Sequence, residues 1–223
     1  MRPDAFRTPT TLRGRFIDLV PVDRDQVEAL TRAGRDPRIW EFMRFGPRTS
    51  TDRMAELVES YLERQRTGQD LPFTIVWQAS GAPIGMTRFL DIDRPNGWVE
   101  IGGTWLDTAF WRSPVNTDSK LLMLRYAFDT EHVNRVQIKT DTRNVRSQHA
   151  IERLGAVREG VLRDHMILPD GLVRSSVYYS ILAREWPSVR DRLTAYLDRP
   201  WDPRSVPAAT DPGGAERSSS LRR

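Results

Sequence analysis

Apolar residues recur along this chain at two spacings, and the changes from one to the other mark out its elements. Residues 11–22 alternate loosely, with Leu12, Phe16 (one step out of phase) and Leu19 among the apolar positions, as in a first strand. Asp23 and Asp25 then start a short helix that carries Val27, Leu30 and Ala33. A longer amphipathic helix is predicted over 51–67, with Met54, Leu57, Val58, Tyr61 and Leu62 on its apolar side and Gly68 closing it. Alternation returns at 71–79, 83–92 and 98–106, separated by a Ser-Gly turn and by Pro95-Asn96-Gly97, so three consecutive antiparallel strands are expected. A loop-opened helix over 116–130 follows, with Leu121, Leu124 and Phe128 at helical spacing and Asn116 or Thr117 as its cap. Next come a strand at 135–141, a helix capped by Asn144, strands near 156–168 and 172–182 joined at Pro169-Asp170-Gly171, and a final helix over 184–197.

The length, 223 residues, suits one domain of about 190 residues with a substantial core. Its expected extent is 11–198, between an unanchored arm (1–10) and a Pro-, Gly-, Ser- and Arg-rich tail (199–223) too poor in apolar residues to offset its ordering entropy. There is no cysteine, which excludes disulfides, thiolate metal sites and a cysteine nucleophile. No apolar run reaches membrane-spanning length and the N-terminus lacks a secretory apolar core, so a cytoplasmic protein without membrane association is expected. The net charge of +4 is carried almost wholly by arginine, with Lys120 and Lys139 the only lysines. Because arginines and carboxylates are interspersed, with no compact basic run, nucleic acid is not expected as a partner.

The stretch with the clearest chemical content is 98–120. A strand enters a loop of turn-forming and basic residues, and the loop opens a helix. That order presents free backbone N–H groups and a positive dipole end to a phosphate, with Arg112 and Lys120 at either side. The G-x-S-x-G, G-x-G-x-x-G and Walker A patterns are all missing, so a coenzyme diphosphate suits this turn better than a nucleoside triphosphate. His132, His149 and His165 have no companions at metal-ligand spacing, and no metal is expected.

The runs EIGGTWL (100–106), FWRSPVNTDSKLLMLRYAFD (110–129) and RVQIKTDTRNVRSQHAIERLGAVREGVLRDH (135–165) resemble the GNAT superfamily of acetyl-CoA-dependent N-acetyltransferases. The nearest branch is the RimJ/RimL type, which includes enzymes that acetylate ribosomal-protein N-termini. The most specific part is N-x-R-S-x-x-A-I-E-R-L-G-A from Asn144 to Ala156, and the likeness covers about 10–198. The family carries glycines in its pyrophosphate loop where this chain has Arg112 and Pro114. Glycine allows positive φ and close approach to phosphate, whereas proline fixes φ and donates nothing.

The resemblance implies an α/β fold with a mixed, mostly antiparallel central sheet splayed at its middle and helices on both faces. It implies acetyl-CoA as co-substrate and an amine acceptor, a protein N-terminus or a small molecule, attacked directly; a homodimer is compatible with it. Glu100 stands where many members place a general base, the other reading being a strand glutamate in an ion pair. Gly102 and Gly103 fit a bulge, and Trp105 and Leu106 would turn main-chain groups to the pantetheine arm. Arg112, Ser113, Val115, Asn116 and Thr117 would hold the diphosphate. Asn144 would contact the pantetheine, although capping alone explains it, and Ser147 would lie near the thiol sulfur. Trp40, Phe42, Met43 and Phe45 either line an acceptor groove or plug the core, and His165 could assist there. The relatives' second base, just beyond His165, aligns with Met166 and is absent. A non-catalytic acyl-CoA-binding module of the same fold is the alternative motivated by Arg112 and Pro114.

Overall fold

The protein, in a computed structural model that describes residues 1–202 and 206, opens with two short strands, β1 (Leu12–Arg13) and β2 (Ile17–Pro21). The single strand expected over 11–22 is broken at its centre. Gly14 amide bonds back to the Ile17 carbonyl, and the buried Asp118 carboxylate accepts from the amides of Arg15, Phe16 and Ile17 at 2.9, 2.7 and 3.3 Å. A tertiary carboxylate, 100 residues away in sequence, thus folds a strand into a tight turn.

Asp23 forms a capping box with Gln26 at the entry to α1 (Val27–Ala33). Ser50 caps α2 (Thr51–Arg66), which buries Met54, Leu57, Val58 and Tyr61 and stops just before Gly68. The strands β3 (Leu71–Trp77), β4 (Ala82–Asp93) and β5 (Trp98–Leu106) form the antiparallel meander expected from the sequence. They are followed by α3 (Val115–Arg125), β6 (Arg135–Asp141), α4 (Val145–Leu154), β7 (Val157–Ile167), β8 (Val173–Leu182) and α5 (Trp186–Leu197). Where one helix over 116–130 was expected, α3 is α-helical to Arg125 and continues as a wider π turn over Tyr126–Thr130. No helix among the described residues is long and apolar enough to cross a membrane.

All eight strands form one sheet in the order β1-β2-β3-β4-β5-β6-β8-β7. Its only parallel neighbours among the described residues are β5 and β6, paired through Trp98–Arg135, Val99–Val136 and Glu100–Gln137 and no further. Beyond Glu100 the two strands part. This is the splayed, mostly antiparallel sheet of an α/β fold, with helices on both faces. One face, with Val99, Ile101, Val136, Ile138, Val177 and Tyr179, packs the main core against α3, α4 and α5. The other packs Met86 and Trp105 against Leu30, Met54, Leu57 and Tyr61 of α1 and α2.

Both ends differ from the sequence expectation where they are described. The arm at 1–10 is anchored: Ala5 and Phe6 are fully buried, Phe6 lies 4.7 Å from the Phe89 ring, and Arg94 donates to the Ala5 carbonyl at 2.8 Å. A single aromatic gives too little pattern to read from sequence, yet it fills a slot between Phe89 and Tyr126. Most of the stretch expected to be disordered lies outside the described residues, but Trp201 packs edge-on to Phe16 and Trp77.

Candidate active site

A cavity of about 560 Å³ runs through the gap where β5 leaves β6, a size suited to a cofactor-bearing cleft. Its walls include Glu100 to Leu106 on β5, Ile138 to Thr140 on β6, the loop before α3, and the N-terminal turn of α4. Because the ladder ends at Glu100–Gln137, main-chain groups of β5 beyond that point on the β6 side have no strand partner and are free for a ligand.

Gly103 makes the divergence possible. It has φ +60°, a left-handed conformation, and a Cβ there would sit 3.1 Å from both Arg88 Nε and the Tyr61 hydroxyl. Glu100 lies on the last rung before the gap, 2 % exposed. It accepts from Lys139 Nζ at 2.6 Å and Gln137 Nε2 at 2.9 Å. Burial raises its pKa above the usual carboxylate range, and the Lys139 charge and the two hydrogen bonds only partly oppose this. Glu100 is therefore ion-paired with Lys139, while burial holds its pKa up.

The helix following the gap starts one residue earlier than expected. Pro114 occupies the cap position of α3, with no side-chain cap from Asn116 or Thr117, and the Ser113 hydroxyl takes the Val115 amide at 3.3 Å. The first amide of α3 to bond back is that of Asp118, to the Pro114 carbonyl. The Asn116 and Thr117 amides thus precede the first intrahelical bond, as the dipole end of a phosphate-binding helix requires. Arg112, Ser113 and Asn116 line the cavity, whereas the side chains of Val115 and Thr117 point into the protein and could contribute only main chain. Arg112 itself adopts φ +63°, so an arginine holds the left-handed conformation that the family's glycine supplies without strain. Pro114 is buried and does not line the cavity, so it does not obstruct it. Lys120 also lines the cavity, but from beneath rather than as an exposed charge. It is buried under the sheet, its Nζ 2.8 Å from Thr104 Oγ1, and burial lowers its pKa to about 7.

Asn144 caps α4 by accepting the Ser147 amide at 3.0 Å, and both residues line the cavity, leaving the Ser147 hydroxyl without a protein partner among the described residues. Trp105 and Leu106 also line it. The buried Trp105 Nε1 has no hydrogen-bond partner among the described residues, while the Leu106 carbonyl is already taken by Trp111 Nε1 at 3.1 Å. Arg146 stacks on Trp111, 3.7 Å from the ring centre.

Of the four residues expected either to line an acceptor groove or to plug the core, three line the cavity: Phe42, Met43 and Phe45. Trp40 does not. It is core, packed 5.1 Å from Trp105 with its Nε1 bonded to the Gly34 carbonyl at 2.7 Å. His165 also lies outside the cavity lining. Its Nδ1 meets the Ser176 hydroxyl at 3.0 Å and its Nε2 the Tyr178 hydroxyl at 3.2 Å, so both ring nitrogens are engaged in the β7–β8 hairpin. Burial and the nearby Lys139 and Arg174 charges lower its pKa. Sequence reading missed Lys139, whose alternation with Gln137 places it beside Glu100, and Arg174, whose position depends on the β6–β8 register.

The features fit a coenzyme carrying a diphosphate and a long polar arm: a helix N-terminus with adjacent arginines and unpaired strand main chain. Comparison with known proteins agrees. The acetyltransferase (GNAT) domain family matches residues 17–157. "Uncharacterized N-acetyltransferase p20" of Bacillus licheniformis is 25% identical over 177 residues, 79% of this chain and 98% of its own length. "Putative ribosomal N-acetyltransferase YdaF" of Bacillus subtilis is 34% identical over 106 residues, 48% of this chain and 57% of its own. A crystal structure of a GCN5-related N-acetyltransferase from Brucella melitensis superposes with a TM-score of 0.80 at 25% identity, covering 85% of this chain and 86% of the other. With the split sheet, the open helix N-terminus and a family match over most of the fold in agreement, this chain belongs to the GNAT family and is an acetyl-CoA-dependent N-acetyltransferase.

Proposed function

We propose that the protein transfers the acetyl group of acetyl-CoA directly to a primary amine, either a protein N-terminus or a small amine, with Glu100 as the base. The observation that carries this reading is the place of Glu100: buried, of raised pKa, on the last paired rung before the sheet opens. The amine must lose a proton as its nitrogen bonds to the carbonyl carbon, and Glu100 accepts that proton directly or through water. Unpaired main-chain N–H groups near Gly103 and Trp105 donate to the carbonyl oxygen as negative charge builds on it. The carbon–sulfur bond then breaks, and the free Ser147 hydroxyl donates to the departing sulfur. Arg112, Ser113 and the leading amides of α3 hold the diphosphate, Asn144 orients the arm, and Phe42, Met43 and Phe45 enclose the acceptor.

An N-terminus is favoured as acceptor over lysine on chemical grounds, since an α-amino group near pKa 8 is partly neutral at about pH 7 and a lysine near 10.4 is not. The likeness to a relative named as a ribosomal N-acetyltransferase supports the same choice. The test is release of coenzyme thiol with a panel of N-terminal peptides and small amines, for the native chain and for Glu100→Gln. Turnover should fall about a hundredfold or more in the variant, with calorimetric acetyl-CoA affinity nearly unchanged. Loss of affinity in place of turnover would make Glu100 a structural residue and overturn its assignment.

A further inference from the structure

At the acceptor end of the cavity lies a cation that the transfer chemistry does not use. Arg174, near the start of β8, is 5 % exposed and lines the cavity. Its Nε donates to the Ser176 hydroxyl at 3.1 Å and its Nη1 to the Phe42 carbonyl at 3.4 Å, which occupy two of the five N–H groups of a guanidinium. The nearest carboxylate, Asp141, is 3.9 Å from Nε and is itself held by Arg143 at 2.6 Å. The Ser176 hydroxyl that anchors Arg174 also meets His165 Nδ1, and His165 Nε2 meets Tyr178, so the hairpin holds the guanidinium in place. A buried guanidinium with unspent donors, whose long ion pair to Asp141 is shared with Arg143, is costly unless a ligand completes it.

The strand registers place Arg174 relative to Glu100. Ser176 lies opposite Asp141, Tyr178 opposite Lys139, and Gln137 opposite Glu100. Opposed residues in a sheet share a face, and residues two apart on a strand do too. Arg174 therefore shares the face of Glu100 and Lys139, the one carrying α1 and α2, and its Nη1 reaches the 40–47 loop that bears Phe42. The helix whose N-terminus would take the diphosphate, α3, packs on the opposite face. Glu100 is the only acidic residue among the described ones that line the cavity, and its charge is taken by Lys139. Arg44, also on the lining, has no ion-pair partner among the described residues.

Resting on the acetyl-transfer reading, we infer that the acceptor is a primary amine that also carries a carboxylate, with its nitrogen at Glu100 and its carboxylate forked by Arg174. A guanidinium fork matches carboxylate geometry, and it tells an acid from its amide by charge.

The experiment uses amines in matched pairs, each as the carboxylate and as its carboxamide, with rates corrected to the neutral-amine concentration. One arm takes free amino acids, the other short peptides with Asp or Asn at the second position, and the arm that shows the preference identifies the source of the carboxylate. The carboxylate member should be favoured about tenfold or more in kcat/KM. The preference should collapse in Arg174→Gln and survive in part in Arg174→Lys, while acetyl-CoA affinity stays the same in both. The same pairs are titrated by calorimetry against protein saturated with an unreactive thioether analogue of the coenzyme, so binding is read without turnover. Equal rates within pairs, a preference that persists in Arg174→Gln, or no carboxylate binding to the analogue complex would each overturn the inference. Turnover without preference leaves the acetyl-transfer reading standing, whereas failure to bind the coenzyme at all would sink that reading itself.

Discussion

Replacing Lys120 by methionine should change how stability depends on pH, by an amount that follows from burial. The Lys120 ammonium sits beneath the split sheet with only a hydroxyl partner among the described residues, Thr104 Oγ1 at 2.8 Å, and its pKa falls from 10.5 to about 7 for want of solvation. A displacement of that size corresponds to about 5 kcal/mol of cost for folding with the charge in place. The folded state holds fewer protons than the unfolded chain between the two pKa values, so native stability rises with pH across that window. Integrating from about pH 7, where half the folded molecules have lost the proton, to about pH 9 gives a gain of about 2 kcal/mol for the native chain. Methionine has nearly the same length and no charge, so Lys120→Met lacks this gain, and the Thr104 hydroxyl keeps its contact with Thr87 at 2.7 Å. Thermal unfolding of coenzyme-free protein, native and variant side by side, cancels every other titrating group. For a chain of this size the difference between the two Tm values should change by about 4–8 °C over that range. Parallel Tm curves across the range would refute the reasoning and mean that the ammonium is solvated or paired after all.

Other substitutions test the remaining features. In the native enzyme kcat/KM should rise with pH through a limb lying above the usual carboxylate range, because burial raises Glu100, and Glu100→Gln should erase that limb; a native profile flat on the acid side would argue against it. Arg112→Gly removes a left-handed arginine at φ +63°, so urea unfolding should show unchanged or slightly greater stability, within about 1 kcal/mol, with weaker acetyl-CoA binding by calorimetry. Gly103→Ala puts a Cβ 3.1 Å from Arg88 and Tyr61 at φ +60° and should cost about 1–3 kcal/mol in chemical unfolding and lower turnover. Asp118→Ala strands the three amides of Arg15, Phe16 and Ile17 and should cost about 2–4 kcal/mol by the same assay, whereas a change under half of that would mean water replaces the carboxylate.

The residues around the gap show how far pattern alone can go. Alternation and turn residues place β3 to β6 in sequence, and the glycine pair at 102–103 marks the place where β5 gives way. Asn144 is recognisable as a cap because its signal is local: a short acceptor followed three residues later by the amide it holds. Sequence could not choose between core and groove for Trp40, nor place His165, for the opposite reason. An apolar or titratable side chain advertises its chemistry in sequence but not its direction, and here one is packed on Trp105 and the other locked between two hydroxyls. Phe6 shows the same limit, since one aromatic in a polar arm has no period to reveal that it is buried.

What the sequence by itself determined is the order and type of the elements, the loop-to-helix turn at 107–115 and the family, because these rest on spacing and on contacts between residues close along the chain. What only the tertiary structure decided is where charges meet: Glu100 with Lys139, Lys120 with a hydroxyl, Arg174 on the Phe42 carbonyl, Asp118 on three distant amides. Those pairings depend on strand order and register across gaps of up to 100 residues and more, and on how much water burial removes. Neither quantity is written in any local stretch of the chain, and both set the strength of an acid or base.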